Sequence, residues 1–150
     1  MARVTRGQIS ASAVPAGTGV ALLARLLLGT GQLATRASIS AISYGVSNLT
    51  LGTSLGSGTF TVASIFDSLQ QSDARWREDS QSEPGSDGYW GYNWAAALPA
   101  ALFPRTALAA PGVLTGIAAA ELIQADVTFT PVTGEPFVVI FSWQKLPVYG

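Results

Sequence analysis

Carboxylates gather in one part of this sequence, where they could carry chemistry. Six of the nine acidic residues lie there: Asp67, Asp73, Glu78, Asp79, Glu83 and Asp87. Two carboxylates could act as acid and base in glycoside hydrolysis, and several carboxylate oxygens could hold a calcium ion. Their spacing matches no calcium loop, however, and Arg75 and Arg77 stand among them. We therefore interpret the cluster as a solvated loop and predict neither a metal site nor a cofactor.

The same region is rich in aromatic side chains: Trp76, Tyr89, Trp90, Tyr92 and Trp94. Exposed Tyr and Trp suit sugar stacking or protein interfaces, because each offers a large rigid face with a polar group. Residues 90, 92 and 94 would share one face of a strand, and one face of a sandwich strand is core. We therefore expect at least two of these aromatics in the core and Trp76 at the surface or the sandwich edge.

Residue types that many enzymes need are absent. The chain has no cysteine and no histidine, which excludes thiolate nucleophiles, Cys or His metal ligands and the Ser-His-Asp triad. The glycine-flanked pieces GTGVALL, GTGQLA and GSGTF lack the Lys-Ser/Thr of a P-loop and the spacing of a dinucleotide fingerprint. The sequence predicts that the protein is not an enzyme. A glycosidase using Asp79 and Glu83 is the weakest alternative.

Charge is scarce along the whole chain. Charged residues make up 11% of it and the net charge is −1, without a basic run, so we predict no nucleic-acid binding. The apolar run at 20–28 contains Arg25 and is about half the roughly 20 residues of a membrane span, so we predict no membrane partner. A weakly charged surface is either uncharged and polar or buried against protein partners. We favour partners, including further copies of this chain.

Alternating apolar residues predict several strands. Residues 37–51 and 59–69 alternate, and we expect a turn or hairpin loop over 52–58 between them. Residues 124–131 and 136–143 flank the link VTGE and predict a C-terminal hairpin. Its expected inward face consists of Val127, Phe129, Phe137, Val139, Phe141 and Trp143.

The remaining segments set the domain organisation. Residues 19–29 are ambiguous, because Leu and Ala favour helix while the short length and flanking glycines allow a buried strand. Residues 1–18 are expected to be an extended N-terminal arm rather than a signal peptide; the arm could cross to a neighbouring subunit or be disordered. Short, regularly spaced strands predict an all-β fold, with one β-sandwich domain over 19–150 and a long loop at about 70–90.

The order of four motifs extends this interpretation. They are VALLARLLLGTGQLATRASISAISYGVSNL, GTFTVASIFDSLQQSDARW, GYN and VTFTPVTGEPFVVIFSW, which together cover most of residues 19–143. In this order the chain resembles small immunoglobulin-like β-sandwich structural proteins of tailed bacteriophages, including those of cyanobacteria. It is also similar to the N-terminal immunoglobulin-like modules of phage baseplate proteins. The resemblance implies a sandwich of about seven strands in which VALLARLLL is a strand.

Two segments depart from that family pattern. Residues 80–90 are inserted before GYN, and residues 118–129 replace a strand that usually starts with a Tyr-Arg pair. The register of the strand before the final hairpin is therefore open.

The resemblance implies a virion building block, assembled in the host cytoplasm. We expect a capsid decoration or cement protein that bridges neighbouring subunits of the major capsid protein. A tail, neck or baseplate component is the near alternative, and a carbohydrate-binding module using Trp76 and Trp90 is the alternative from another class. Contacts are expected in residues 1–18, 73–90 and 144–150. The predicted contact residues are Arg3, Arg6, Arg75, Trp76, Arg77, Glu83, Asp87, Tyr89 and Trp90.

Overall fold

The computed structural model describes residues 3–9, 13–71, 91–105 and 120–148. Its strands are β1 (Arg3–Arg6), β2 (Gln8–Ile9), β3 (Ala13–Pro15), β4 (Val20–Ala24), β5 (Ile39–Asn48), β6 (Thr53–Phe60), β7 (Ile65–Gln71), β8 (Gly91–Leu98), β9 (Glu121–Pro131) and β10 (Phe137–Leu146). Within these ranges, three short 3₁₀ helices join them: η1 (Arg36–Ser38), η2 (Val62–Ser64) and η3 (Ala100–Leu102). The predicted all-β class is confirmed. Within the described ranges, no helix has the length and apolarity needed to cross a membrane.

The strands form two sheets that pack face to face. The larger sheet has the order β1-β10-β9-β5-β6, with β3 also pairing along β10, and the smaller has the order β2-β4-β8-β7. Rings from both sheets meet between them, because Trp94 of β8 lies 5.2 Å from Phe129 and 5.8 Å from Phe141 by ring centroids. The predicted two-sheet sandwich is confirmed. Its described part has seven longer strands, β4 to β10, and three short N-terminal ones.

The C-terminal hairpin follows its sequence pattern closely. β9 and β10 pair antiparallel from Glu121 with Lys145 to Phe129 with Phe137. Alternate residues of both strands are buried between the sheets: Ile123, Ala125, Val127, Phe129, Phe137, Val139, Phe141 and Trp143. The predicted inward face is confirmed, because a period of two places one set of side chains on the core face.

The ambiguous segment 19–29 is a strand in its first half. β4 covers Val20–Ala24 and pairs antiparallel with β8, while Leu27 bridges Leu33 in the loop that follows. Val20, Leu22 and Ala24 are buried. Tertiary burial therefore overrides the local preference for helix, and the strand implied by the resemblance is confirmed over these residues.

The predicted turn at 52–58 and the predicted single strand at 59–69 are wrong. The turn occupies residues 49–52, and β6 then runs from Thr53 to Phe60. η2 interrupts the second stretch and carries the chain from the larger sheet to β7 of the smaller one. The alternation of apolar and polar residues continues across this break, because Val62 in η2 also packs against the core.

The N-terminal strands lie along edges of the sandwich. β1 pairs in parallel with residues 137–140 of β10, β2 pairs with β4 of the other sheet, and β3 returns to β10. Gly7 lies between β1 and β2, and its N–H donates to the carbonyl of Ile140 at 2.9 Å. A Cβ at Gly7 would overlap the ring of Phe141, so the crossing requires glycine. The described part of the predicted arm is extended and covers edges of its own sandwich.

Candidate docking surface

Most of the predicted contact residues lie outside the described residues. These are Arg75, Trp76, Arg77, Glu83, Asp87, Tyr89 and Trp90. Their segment joins β7 to β8, whose residues Gln71 and Gly91 are paired. Arg3 and Arg6 are the ends of β1, where the backbone pairs with β10. Partner contact by these nine residues stays a prediction.

The described aromatics of the 89–94 group serve packing. Trp94 is fully buried, and its Nε1 donates a hydrogen bond to Ser64 Oγ at 2.9 Å. Tyr92 is half-buried, with its ring 5.9 Å from that of Phe66. The core interpretation is confirmed for Trp94, whereas Trp90 lies outside the described residues.

Three described carboxylates have structural partners. Asp67 accepts a hydrogen bond from the backbone N–H of Arg36 at 3.1 Å. Glu121 and Lys145 form an ion pair at 3.3 Å, and Asp126 accepts from the amide of Gln124 at 2.9 Å. In the described ranges, no group of three or more His, Cys, Asp or Glu residues could hold a metal ion. Asp79 and Glu83, on which the glycosidase alternative depends, lie outside those ranges.

Three exposed leucines lie on hydrogen-bonded neighbouring segments at one end of the sandwich. Leu49 and Leu51 belong to the turn between β5 and β6, and Leu122 lies near the start of β9; their exposed fractions are 46%, 63% and 42%. The N–H of Leu49 donates to the carbonyl of Leu122 at 2.8 Å, and the N–H of Leu122 donates to Thr50 Oγ1 at 2.8 Å. We call Leu49, Leu51 and Leu122 the leucine cluster. Large apolar side chains exposed together are typical of an interaction surface.

Asn48 holds the turn that presents this cluster. Asn48 is buried, its side-chain oxygen accepts from the N–H of Leu51 at 2.9 Å, and its carbonyl accepts from the N–H of Gly52 at 2.8 Å. Gly52 has a φ of +71°, a conformation that favours glycine. The turn is therefore ordered by its own hydrogen bonds, with leucines at positions where turns usually carry polar residues. Sequence reasoning missed these residues, although apolar side chains in the turn sequence NLTLG were a signal.

The sheet face beside the leucine cluster is polar and almost uncharged. Side chains that are exposed or half-buried on β5, β6 and β9 include Ser43, Ser47, Ser54, Ser57, Thr59, Gln124, Thr128 and Thr130. Asp126 is the charged side chain on this described face. A neutral surface of this kind creates no charge barrier to another protein surface.

A cavity of about 550 Å³ opens between residues 28–32 and the turn 131–137. Leu28, Pro131, Pro136 and Phe137 give it mainly apolar walls, and Glu135 is its titratable lining residue. Its volume lies in the range of small-molecule pockets. The lining provides a single carboxylate, so it does not supply an acid–base pair.

Comparisons with protein-family models, with curated proteins and with solved structures give no match for this chain. A functional assignment therefore depends on the sequence resemblance and on the geometry described above.

Proposed function

We propose that this chain is a virion structural protein of a tailed bacteriophage, most specifically a capsid decoration protein that bridges neighbouring subunits of the shell. The observation that carries the proposal is the leucine cluster on an almost uncharged sandwich. The order of the sequence motifs, which resembles that of phage structural proteins, supplies the virion context.

Decoration requires binding rather than covalent chemistry. A ligand that binds only the assembled shell stabilises it by mass action, and a molecule that bridges two subunits gains from the high effective concentration of its second contact. Full burial of one leucine side chain contributes about 1.5–3 kcal/mol. The side chains of the leucine cluster are already partly buried in the free protein, so burial of each one on binding contributes only part of this free energy. Many identical weak contacts are sufficient on a repetitive shell.

The ordered core suits a protein that must hold its shape while bound. Trp94 contacts the rings of Phe60, Phe129 and Phe141, which tie together the two sheets. The leucine cluster is positioned by backbone hydrogen bonds to two strands of the larger sheet. Little conformational entropy is then lost at this surface on binding.

The immunoglobulin-like class belongs to the same proposal. Seven longer strands in two sheets match the strand number of a constant-type immunoglobulin domain. The pairing differs around β5 and β6, the second and third of the seven: they form a hairpin within one sheet, β5 also pairs with β9, and β4 pairs directly with β8. In the immunoglobulin domain the second and third strands lie in opposite sheets, and the second strand lies between the first and the fifth. The sandwich is therefore proposed as a variant of the class.

A tail, neck or baseplate position remains the alternative within the virion. The same docking surface would serve there, so the choice depends on location in the particle. The carbohydrate-binding alternative depends on Trp76 and Trp90, which lie outside the described residues, and no described contact favours it.

The deciding experiment is to locate and count this protein in purified particles by quantitative mass spectrometry and electron microscopy. Copies distributed over the whole shell, in fixed ratio to the major capsid protein, are expected for decoration. Copies confined to one vertex would contradict decoration and favour a neck or tail role. Absence from particles would contradict the virion assignment itself.

A further inference from the structure

The larger sheet ends in a strand whose outer edge has no described partner. β6 pairs with β5 from Ile42 with Phe60 to Asn48 with Thr53, and it is the last strand in the sheet order. At roughly 3.4 Å per residue its eight residues present an edge of about 27 Å. The free N–H and C=O groups of such an edge can pair with a strand from another chain.

The other described edges of the sandwich are formed by strands of two to four residues (β1, β2 and β3) or carry a charge (β7). β1 and β3 lie along β10, and β2 lies along β4. At the edge strand β7, the guanidinium Nε of Arg36 donates to the carbonyl of Ile65 at 2.6 Å, and Asp67 places a charge on the strand. Natural sheets protect edges by short strands, charges and bulges; β6 has eight residues, no charge and one bulge, at Leu55, where Val46 pairs with Gly56 and Ser47 pairs with Ser54.

The sequence of β6 also lacks the residues that discourage edge pairing. TSLGSGTF contains no charged residue and no proline, and neither type occurs anywhere from residue 37 to residue 66. Its exposed side chains are those of Thr53, Ser54, Ser57 and Thr59, which are small enough for another backbone to approach. Leu55 and Phe60 pack against the core, so their burial fixes the face of the strand.

A neutral edge of this composition is complementary to itself. Two copies related by a two-fold axis, with the whole strands overlapping, would place β6 antiparallel to β6 with Ser54 opposite Thr59, Ser57 opposite Gly56 and no like charges in contact. Strand addition at an edge obtains its affinity from main-chain hydrogen bonds, which an identical strand supplies in full.

We propose that β6 of one molecule pairs antiparallel with β6 of a second copy, giving a two-fold dimer with one continuous sheet. The proposal goes beyond the virion assignment and does not depend on it. Leu49 and Leu51 of the leucine cluster directly precede β6 in the chain, and the cluster lies at that end of the strand. Pairing in the middle of β6 therefore leaves that cluster available for a different partner.

The chain has no cysteine, so single engineered thiols test the geometry without background. A spin label on Ser57→Cys, near the middle of β6, should lie roughly 5–10 Å by backbone position from its copy in the dimer. We expect strong dipolar broadening of its spectrum, removed by dilution with unlabelled protein. A label on Ser142→Cys of β10, three strands away in the same sheet, is the matched control and should show none.

The double variant Ser57→Lys/Thr59→Lys tests the energetics. It adds the edge charges that β6 lacks, and we expect loss of the dimer in sedimentation equilibrium, with unchanged circular dichroism and the unfolding midpoint that the unchanged protein has at concentrations where it is monomeric. Ser142→Lys should leave the dimer intact. A protein that stays monomeric up to roughly 1 mM would overturn the proposal, as would a dimer that survives in the double-lysine variant. Dimerisation abolished by Leu51→Ser but not by the two lysines would assign it to the leucine cluster instead.

Discussion

The side-chain oxygen of Asn93 accepts a hydrogen bond from the backbone N–H of Leu26 at 2.6 Å. The Asn93 amide also donates to the carbonyl of Ala34 at 2.9 Å and, less closely, to that of Leu26 at 3.4 Å. Asn93 is fully buried. One amide therefore ties both sides of the loop after β4 to β8, and this loop leads the chain from the smaller sheet into the larger one.

Replacing Asn93 by leucine should destabilise the fold by about 2–4 kcal/mol, since the buried N–H of Leu26 and carbonyl of Ala34 lose a partner. Leucine has a similar volume, so the loss reports hydrogen bonding rather than a cavity. Urea unfolding followed by tryptophan fluorescence measures it. Gln144→Leu, at an exposed position of β10, is the control and should change stability by less than about 0.5 kcal/mol. Equal effects at both positions would contradict the role assigned to Asn93.

The hydrogen bond from Trp94 Nε1 to Ser64 Oγ predicts a measurable coupling. Trp94→Phe should cost about 2–4 kcal/mol, because it removes both this bond and part of the ring at the centre of the core. Ser64→Ala should cost about 1 kcal/mol, and the two changes together less than their sum by about 0.5–1.5 kcal/mol.

Trp143→Phe provides the comparison for that cycle. Trp143 is also buried, and its ring centroid lies 5.6 Å from that of Phe103. The hydrogen bond to Ser64 Oγ comes from Trp94 and not from Trp143. Its effect should add to that of Ser64→Ala within about 0.5 kcal/mol. Additivity for Trp94 as well would mean that the Nε1 bond does not stabilise the fold.

Local pattern predicts the C-terminal hairpin but not the strand β6. In β9 and β10 the alternation of large apolar residues coincides with the pleat, so burial follows from sequence. In TSLGSGTF the glycines suggest a turn, yet they lie in a strand. A Cβ at Gly56 would meet Leu102 at 2.8 Å and one at Gly58 would meet the ring of Tyr44. Leu102 lies far from Gly56 in the sequence. The steric requirement for glycine at position 56 therefore could not be predicted from the local sequence.

The candidate docking surface was hidden for a similar reason. The sequence draws attention to residues 73–90, where charge and aromatic rings are concentrated. Leu49 and Leu122 are unremarkable in their own segments, and each could be a core residue of its strand. Only the pairing of β5 with β9, which brings the carbonyl of Leu122 to the N–H of Leu49, joins them into one surface.

Gly7→Ala should loosen the N-terminal strands. The added methyl group would overlap the buried ring of Phe141, so β1 and β2 must move from their positions, and the fold should lose about 1–3 kcal/mol. Limited trypsin digestion with mass spectrometry checks this, and we expect faster cleavage after Arg6. Gly45→Ala, where a Cβ has no neighbour within 4 Å, should cleave like the unchanged protein. Equal cleavage of all three proteins would mean that the N-terminal strands contribute little to the edge.

The leucine cluster should act in binding without contributing to stability. Leu51→Ser removes an apolar side chain that is 63% exposed, so the unfolding free energy should change by less than about 0.5 kcal/mol. Binding to particles lacking this protein should weaken by roughly tenfold, the factor that corresponds to about 1.4 kcal/mol of lost apolar contact. Titration with fluorescently labelled protein measures the dissociation constant.

Val132→Ser is the control that distinguishes specific binding through the leucine cluster from an effect of general surface hydrophobicity. Val132 is 64% exposed, nearly the same as Leu51, but it follows the far end of β9, about 33 Å from Leu122 at roughly 3.3 Å per residue. Retention on a hydrophobic column should fall for both variants, whereas particle binding should fall only for Leu51→Ser. If Val132→Ser weakens particle binding as much as Leu51→Ser, the effect reflects general surface hydrophobicity, and the leucine cluster is not the specific docking surface.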